Sequence, residues 1–199
     1  SDFSSIRNLA FIDAGDNQLS LAAFATLPAL KELILVNNHI SSFHFEDAAR
    51  DDDSAPSLSL LFPHLTKLDL SHNTLTPAAL TTLRALPCLR DLNLSFNRLR
   101  HLPSSLLSFP RLAKLNLASN ELRDDVFSSC ALSCPALTHL NLMNNCIAVV
   151  PREILADDDA FLALREIHLG NNELGSWGDV LPLLLLGGLE KVVVYGNPF

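Results

Sequence analysis

The 199-residue sequence predicts an α/β solenoid, with a curved parallel sheet on its concave face and short helices and turns on its convex face. Leucine occupies 43 positions, against 7 glycines and single residues of tryptophan, tyrosine and methionine. The pattern L-x-x-L-x-L-x-x-N-x-L occurs eight times, with Ile, Val, Ala or Phe allowed at its apolar places. Successive copies begin 21 to 35 residues apart, and these spacings centre on the length of one solenoid coil.

The eight copies extend over nearly the whole chain. The clearest reads LRDLNLSFNRL, and apolar residues alternate with polar ones through its middle. This alternation is typical of a short strand with its leucines on one face, so successive strands are expected to stack as a parallel sheet with the leucines inward. The copies begin at Leu9, Leu30, Leu65, Leu89, Leu112, Leu137, Leu164 and Leu189.

These copies resemble the repeats of the leucine-rich repeat family, and the resemblance covers the chain from Leu9 to Phe199. It implies a right-handed solenoid of about eight repeats in a single domain, residues 1–199, with variable coil lengths similar to those of intracellular members. The first copy departs most, since Ala14 stands where leucine is usual, and the last copy uses Val192 and Val194. Such variation is expected of terminal coils, which have a neighbour on one side only.

An asparagine follows every predicted strand. In the family this residue lies inside the turn, where its amide bonds backbone groups of its own and the neighbouring coil. The resemblance therefore implies a structural role for these residues rather than a ligand-binding one. This asparagine ladder consists of Asn17, Asn38, Asn73, Asn97, Asn120, Asn145, Asn172 and Asn197.

The sequence of the segments between strands predicts short helices and turns. A helix is expected from Pro77 to Leu86 with Thr76 as its cap, and a shorter one at 104–107. Two longer intervals contain the aspartate runs 51–53 and 157–159, where we expect solvated convex loops. Binding of a partner or of Ca²⁺ is the alternative, although successive carboxylates lack the spaced oxygens of a calcium loop.

The outward positions of the strands form columns across the sheet, and the central column is mostly polar. Phe96 and Met143 lie beside it, and the coil itself requires neither, so both can anchor a partner. Alternatively, Phe96 packs over its neighbours at the edge of the sheet. The outward column two residues before the central one alternates in charge. This alternation predicts cross-strand ion pairs such as that of His139 with Glu166. The candidate partner-binding residues are Asp69, His72, Asn93, Phe96, Asn116, Asn141, Met143 and His168.

The columns do not supply the convergent groups that catalysis needs. Asp69 and His168 share a column but are four strands apart, about 19 Å, which is too far for a base and its orienting acid. The sequence has no phosphate-binding loop and no dinucleotide-binding glycine motif. We therefore expect no catalytic residue and no cofactor.

The cysteines are expected to be buried thiols rather than metal ligands. Cys130 and Cys134 lie in a return segment and Cys146 follows a turn, whereas His139 points out of the concave sheet, so the four are not expected to meet at one metal. A disulfide between Cys130 and Cys134 is the alternative if the local chain is not a regular helix. The scattered cysteines favour a reducing compartment.

Charge and hydropathy argue against two classes of partner. The net charge of −8 disfavours nucleic acid, whose binding depends on clustered lysine and arginine. The longest apolar run, Val180 to Leu189, contains a proline and is shorter than the ~20 residues that a membrane span needs. The sequence thus predicts neither a nucleic-acid-binding protein nor a membrane protein.

Together these features predict a non-enzymatic module that binds a protein partner on its concave face. We expect a monomeric domain within a longer scaffold protein, in the cytoplasm, with a cytoskeletal or flagellar association by analogy with the family. The alternative is a regulatory or targeting subunit of an enzyme such as a protein phosphatase. Both functions would use the same face.

Overall fold

Each repeat forms one strand where apolar and polar residues alternate. The computed structural model describes residues 6–43, 61–83, 85–103, 109–156 and 160–199. Its strands are three residues long, and each lies at the start of a repeat's x-L-x-L segment. They are β1 (Phe11–Asp13), β2 (Glu32–Ile34), β3 (Lys67–Asp69), β4 (Asp91–Asn93), β5 (Lys114–Asn116), β6 (His139–Asn141), β7 (Glu166–His168) and β8 (Lys191–Val193).

The eight strands form one parallel sheet in chain order, from β1 to β8. Adjacent strands pair with equivalent residues opposite each other, so that Leu92 of β4 lies opposite Leu115 of β5 and Asn93 lies opposite Asn116. This register holds across all seven strand pairs. The predicted solenoid and its columns of outward residues are therefore confirmed.

The core consists mainly of leucines, some of which point inward from the sheet while others belong to the return segments. The middle residues of the inner strands, such as Leu33, Leu92 and Ile167, are all buried, with at most 6% of their surface exposed. A fully buried leucine of this kind contributes about 1.5–3 kcal/mol relative to an exposed one. The equivalent residues of the terminal strands, Ile12 and Val192, are only partly buried because each terminal strand has one neighbour.

The return segments contain short helices: α1 (Pro77–Leu83), α2 (Val126–Ser133) and α3 (Leu181–Leu184). The 3-10 turns are Leu21–Phe24, Arg152–Leu155 and Trp177–Asp179. The Thr76 hydroxyl accepts the Ala79 N–H at 3.3 Å, which is the cap that the sequence predicted. The helix expected to reach Leu86 ends instead at Leu83, and Leu86 is buried in the turn that follows.

Some predictions concern segments outside the described residues. These are the short helix expected at 104–107 and the two aspartate runs, 51–53 and 157–159. In the part of the chain that the structure does describe, every helix is too short or too polar to cross a membrane.

Candidate partner-binding face

The asparagine ladder bonds neighbouring coils to each other. The Asn97 amide Nδ2 donates to the carbonyls of Leu94 and Ser95 in its own turn and to Leu70 in the preceding coil, at 3.0–3.1 Å. Its Oδ1 accepts the Leu75 N–H at 3.1 Å. Each later ladder residue donates in the same way to its own turn and to the coil before it. Asn17, in the first coil, donates within its own turn and to no other described residue. The ladder thus fixes the turn that follows each strand.

The central column of the concave face also has a structural role, which the sequence analysis did not foresee. In β3 to β6 the side-chain Oδ1 accepts the backbone N–H two residues further along, at 2.9–3.1 Å. This Asx turn ends each strand and satisfies an otherwise free donor. In the first two of these turns Ser71 and Ser95 also donate their hydroxyls to Oδ1. The residues that accept are Asp69, Asn93, Asn116 and Asn141.

The remaining polar atoms of this column differ from coil to coil. Asn93 donates its Nδ2 to Asp69 Oδ2 at 2.9 Å, so this pair is satisfied within the face. Among the described residues, no hydrogen-bond partner is found for Nδ2 of Asn116 or of Asn141. Because the Asx turn fixes Oδ1 toward the backbone, each of these two amides presents both of its N–H groups to the concave surface.

The two free amides lie in a hollow of about 230 Å³ between β4 and β7, with Leu115 and Leu140 among its lining residues. We call it the concave hollow. The hollow is open to solvent and has the size of a few side chains rather than of a buried small-molecule pocket. Its polar lining consists of Asp91, Lys114, Asn116, His139, Asn141, Glu166 and His168.

Glu166 contacts three cationic or titratable side chains at one end of the concave hollow. Its Oε1 accepts from Lys191 Nζ at 2.6 Å and lies 2.5 Å from His168 Nε2, while its Oε2 lies 3.9 Å from His139 Nε2. The hydrogen bond from Lys191 and then that from His168 lower the pKa of Glu166 from its ordinary value. The predicted neighbour His139 is therefore the most distant of the three partners.

The charge-alternating column forms fewer ion pairs than its pattern predicted. Lys67 pairs with Glu32 at 3.6 Å. Asp91 lies opposite both Lys67 and Lys114 in the sheet register, yet it forms an ion pair with neither of these described residues. The carboxylate of Asp91 and the ammonium of Lys114 are consequently available to a partner.

The residue three positions after each strand has a left-handed backbone in all eight coils, a feature that was not expected from the sequence. Its φ lies between 52° and 70° in Asp16, Asn37, His72, Phe96, Ser119, Asn144, Asn171 and Gly196. Asp, Asn and Gly adopt this conformation readily, and their enrichment in the column was the signal that could have revealed it. Phe96 is unusual there, because a bulky residue pays more for a left-handed backbone.

Phe96 and His72 form a stacked pair in this column of left-handed residues, with ring centroids 4.1 Å apart and ring planes inclined by 11°. We call it the aromatic platform. Phe96 is 48% exposed, and His72 is exposed as well. Phe96 thus packs on its neighbour at the edge of the sheet, as the alternative interpretation expected, and also presents a large apolar surface.

Met143 is less accessible than the sequence suggested. It is half-buried, and the Tyr195 hydroxyl lies 3.9 Å from its sulfur. The Tyr195 ring covers Gly170 on the intervening coil, where a Cβ atom would lie 3.2 Å from the ring. Tyr195, which is 57% exposed, therefore presents more apolar surface at this place than Met143 does.

The four cysteines are all free thiols. Cys130 and Cys134 lie buried in and just after α2, while Cys88 and Cys146 are half-buried, so the expectation of burial is wrong for Cys146. Burial raises the pKa of Cys134 to about 12 and that of Cys130 well above its ordinary value. No cluster of metal-ligating side chains is present within the described ranges.

Comparison with known proteins identifies relatives by sequence. A family model described as leucine rich repeat matches residues 63–122, and a second matches residues 133–149. Tubulin-folding cofactor E of Arabidopsis thaliana is 32% identical over 144 residues, which cover 70% of this chain and 27% of that protein. X-ray radiation resistance-associated protein 1 of Mus musculus is 36% identical over 105 residues, covering 53% of this chain and 12% of that protein. The chain thus spans a minor part of each relative.

Solved structures show the same architecture. A chain of the TLR13–ssRNA13 complex aligns over 98% of this chain and 26% of its own length, with a TM-score of 0.67 and 25% identity. A chain of the mouse RP105/MD-1 complex aligns over 92% of this chain and 33% of its own length, with a TM-score of 0.55 and 22% identity, a likeness of fold alone. Since one strand forms per copy of the sequence pattern and the family models match four of these eight coils, this chain belongs to the leucine-rich repeat proteins.

Proposed function

We propose that this repeat domain is a non-enzymatic module that binds a partner protein on its concave face. The observation that carries the proposal is the aromatic platform. Phe96 has a φ of 57° and remains 48% exposed at a position where most coils have Asp, Asn, Ser or Gly. A left-handed backbone costs a bulky residue about 1–2 kcal/mol, so Phe96 is more costly to the coil than those residues. An exposed aromatic held in an unfavourable conformation is typical of a binding surface.

The face around the platform has the size and chemistry of a protein interface. Eight strands at about 4.8 Å spacing span about 34 Å, enough for the ~800 Å² per partner of a standard interface. The aromatic platform and Tyr195 provide apolar anchors. The concave hollow between them provides the unpaired polar groups of Asp91, Lys114 and the two asparagine amides. This combination of apolar anchors and polar groups is characteristic of protein recognition.

An enzymatic function has less support. The lining of the concave hollow includes neither serine nor cysteine that could act as a nucleophile beside His139 or His168. Glu166 bonds Lys191 and His168 instead of orienting a histidine toward a reacting group. These groups are explained by ion pairing at the surface.

We further propose that the domain belongs to a longer, cytoskeleton-associated scaffold protein. Its similarity to tubulin-folding cofactor E, over 70% of this chain and 27% of that protein, supports both parts of this proposal. A regulatory or targeting subunit, of a protein phosphatase for example, would use the same face, and no feature of the concave surface favours it. The identity of the partner distinguishes the two functions.

Affinity capture with the purified chain, followed by identification of the bound protein and calorimetry, tests the proposal. Replacing Phe96 and Met143 with alanine is expected to weaken binding by about 2 kcal/mol or more. Leu162→Ala is the matched control, because Leu162 is an apolar side chain that is 62% exposed in a return segment away from the sheet. Unchanged binding by the double variant, or loss of binding by Leu162→Ala, would show that the functional surface is not the concave one.

A further inference from the structure

The side-chain amides of Asn116 and Asn141 are held in a fixed orientation with their donors unused. Oδ1 of each accepts a backbone N–H, from Ala118 and Met143 respectively, at 3.1 Å. The amide plane therefore cannot turn its oxygen outward without breaking the Asx turn. Each residue presents an NH₂ group, and no acceptor for either group is found in the described part of the chain. The pair of amides is thus selective for a hydrogen-bond acceptor.

The spacing of the two amides indicates which acceptor fits. Asn116 and Asn141 lie directly opposite each other on adjacent strands, about 4.8 Å apart. Successive carbonyls on one side of an extended peptide are about 6.8 Å apart, so a row of backbone carbonyls does not match this spacing. Two donors that converge on one group match a carboxylate, which has two acceptor oxygens.

The charges around the two amides favour an anion at this end of the face. In the two outward columns, β1 to β4 carry four carboxylates and one lysine: Asp13, Glu32, Asp69, Asp91 and Lys67. By contrast, β5 to β8 carry two lysines and two histidines with one carboxylate, Glu166. Lys191 and His168 already bond that carboxylate, whereas Lys114 has no ion pair among the described residues. A charged partner is therefore steered by this polarity of the face.

We propose that the concave hollow binds a carboxylate of an acidic segment of the partner protein, between the amides of Asn116 and Asn141 and beside Lys114. The proposal rests on the function proposed above and adds the chemistry of the partner. Asp13, Glu32 and Asp69 repel the acidic segment from the opposite end of the face, whereas Asp91 lines the hollow itself, opposite Lys114. The three repelling carboxylates thereby set the direction in which the partner lies across the coils.

Titration of the intact chain with two peptides, monitored by NMR of its asparagine side chains, tests this inference. The probes are an end-blocked hexaglutamate and the isosteric hexaglutamine. Hexaglutamate is expected to shift the Nδ2 resonances of Asn116 and Asn141, and hexaglutamine is not. Equal shifts with both peptides, or no shift with hexaglutamate, would overturn the proposal. Tighter binding of a single-stranded oligouridylate than of hexaglutamate would also overturn it, since the occupant would then be nucleic acid.

Two variants in the same coil distinguish an effect at the proposed carboxylate site from a general effect of added negative charge. Asn141→Asp retains the Asx acceptor, as Asp69 does in β3, but replaces the donor with a carboxylate. It is expected to weaken hexaglutamate binding about tenfold or more, the loss of one charge-assisted hydrogen bond. Asn144→Asp introduces the same charge three residues away, at a left-handed position where Asp16 stands in the first coil. It is expected to change binding less than about twofold at moderate salt; equal losses in the two variants would contradict the proposal.

The same variants distinguish failure of this inference from failure of the proposed function. A captured partner that requires Phe96 but binds Asn141→Asp normally would overturn only the carboxylate site. A partner insensitive to both changes would overturn the concave face as a whole. If the Phe96 variant and Asn141→Asp both lose binding of the partner while Asn144→Asp retains it, both proposals are supported.

Discussion

His72 and Phe96 stack face to face across adjacent coils although both have left-handed backbones, with φ of 55° and 57°. An aromatic stack contributes about 0.5–1.5 kcal/mol beyond the burial of its area. A left-handed backbone costs each residue roughly 1–2 kcal/mol. The stack therefore offsets part of the backbone cost, and the pair is not a net source of stability. Its apolar surface is better explained by an interaction with another molecule.

Replacing Phe96 with asparagine tests this balance. Three other coils have asparagine at the equivalent left-handed position, namely Asn37, Asn144 and Asn171. The substitution is therefore expected to lower the free-energy cost of the left-handed backbone while removing the aromatic stack. The free energy of unfolding is expected to change by less than about 1 kcal/mol, measured by urea denaturation. Binding of the captured partner is expected to fall as in the alanine variant. A loss of stability of several kcal/mol would identify Phe96 as a structural residue.

The asparagine ladder is expected to show a graded cost of substitution. Asn120→Ala leaves the N–H groups of Asn97 and Leu99 without an acceptor, and each costs about 1–3 kcal/mol when buried. Asn97→Ala leaves only the Leu75 N–H, because the carbonyls that lose Asn97 keep other donors. Thermal or urea unfolding should therefore rank Asn120→Ala below Asn97→Ala in stability. Asn17→Ala, at an exposed position, is the mild control; an equal effect of all three changes would contradict the ranking.

Glu166 predicts a dependence of stability on pH. Its pKa in the folded chain lies below its ordinary value of 4.5, because Lys191 and then His168 donate hydrogen bonds to the carboxylate. A lowered folded-state pKa means that the contribution is complete above about pH 4.5 and is lost as the pH falls through the folded-state pKa. The ¹³C titration of the Glu166 carboxyl is expected to have its midpoint below 4.5.

Replacing Lys191 with glutamine should raise that midpoint. Lys67→Gln is the control, since Lys67 pairs with Glu32 rather than with Glu166. A wild-type midpoint at or above 4.5, or an equal response to the two lysine changes, would show that Lys191 does not determine the pKa of Glu166.

Thiol chemistry is expected to follow burial. At pH 8 the raised pKa values of Cys130 and Cys134 leave almost no thiolate, and both side chains are buried. Iodoacetamide should therefore label Cys88 and Cys146 first in the native chain, with the other two labelled only after addition of urea. Mass spectrometry of the digested protein measures the order, and early labelling of Cys130 would contradict it.

The fold was predictable because its signal is periodic. The alternation around Leu92 and Leu115 determines which side chains face the core, and equal coil geometry places Asp91 opposite Lys114. The structure departs from the prediction in the return segments, which differ from coil to coil. The helix at Pro77 ends three residues before the predicted Leu86, since the pattern of apolar residues continues into a turn.

The candidate site was less predictable because it depends on side-chain conformation. The sequence placed Glu166 beside His139, yet the carboxylate lies closer to Lys191 and His168. It also gave no sign that Tyr195 reaches Met143 across an intervening coil, where Gly170 leaves room for the Tyr195 ring because it lacks a side chain. The Asx turns were missed since an outward polar residue was interpreted as a free one.

The strict chain order of the sheet has a consequence for how the domain opens. Each inner strand pairs only with the strands next to it, and the first and last have one neighbour each. Opening at either end therefore breaks one interface, whereas opening in the middle breaks two. Amide hydrogen exchange should be fastest in β1 and β8 and slowest near β4 and β5. The coils bearing Phe96 and Asn116 would then keep their shape through fluctuations that fray both ends.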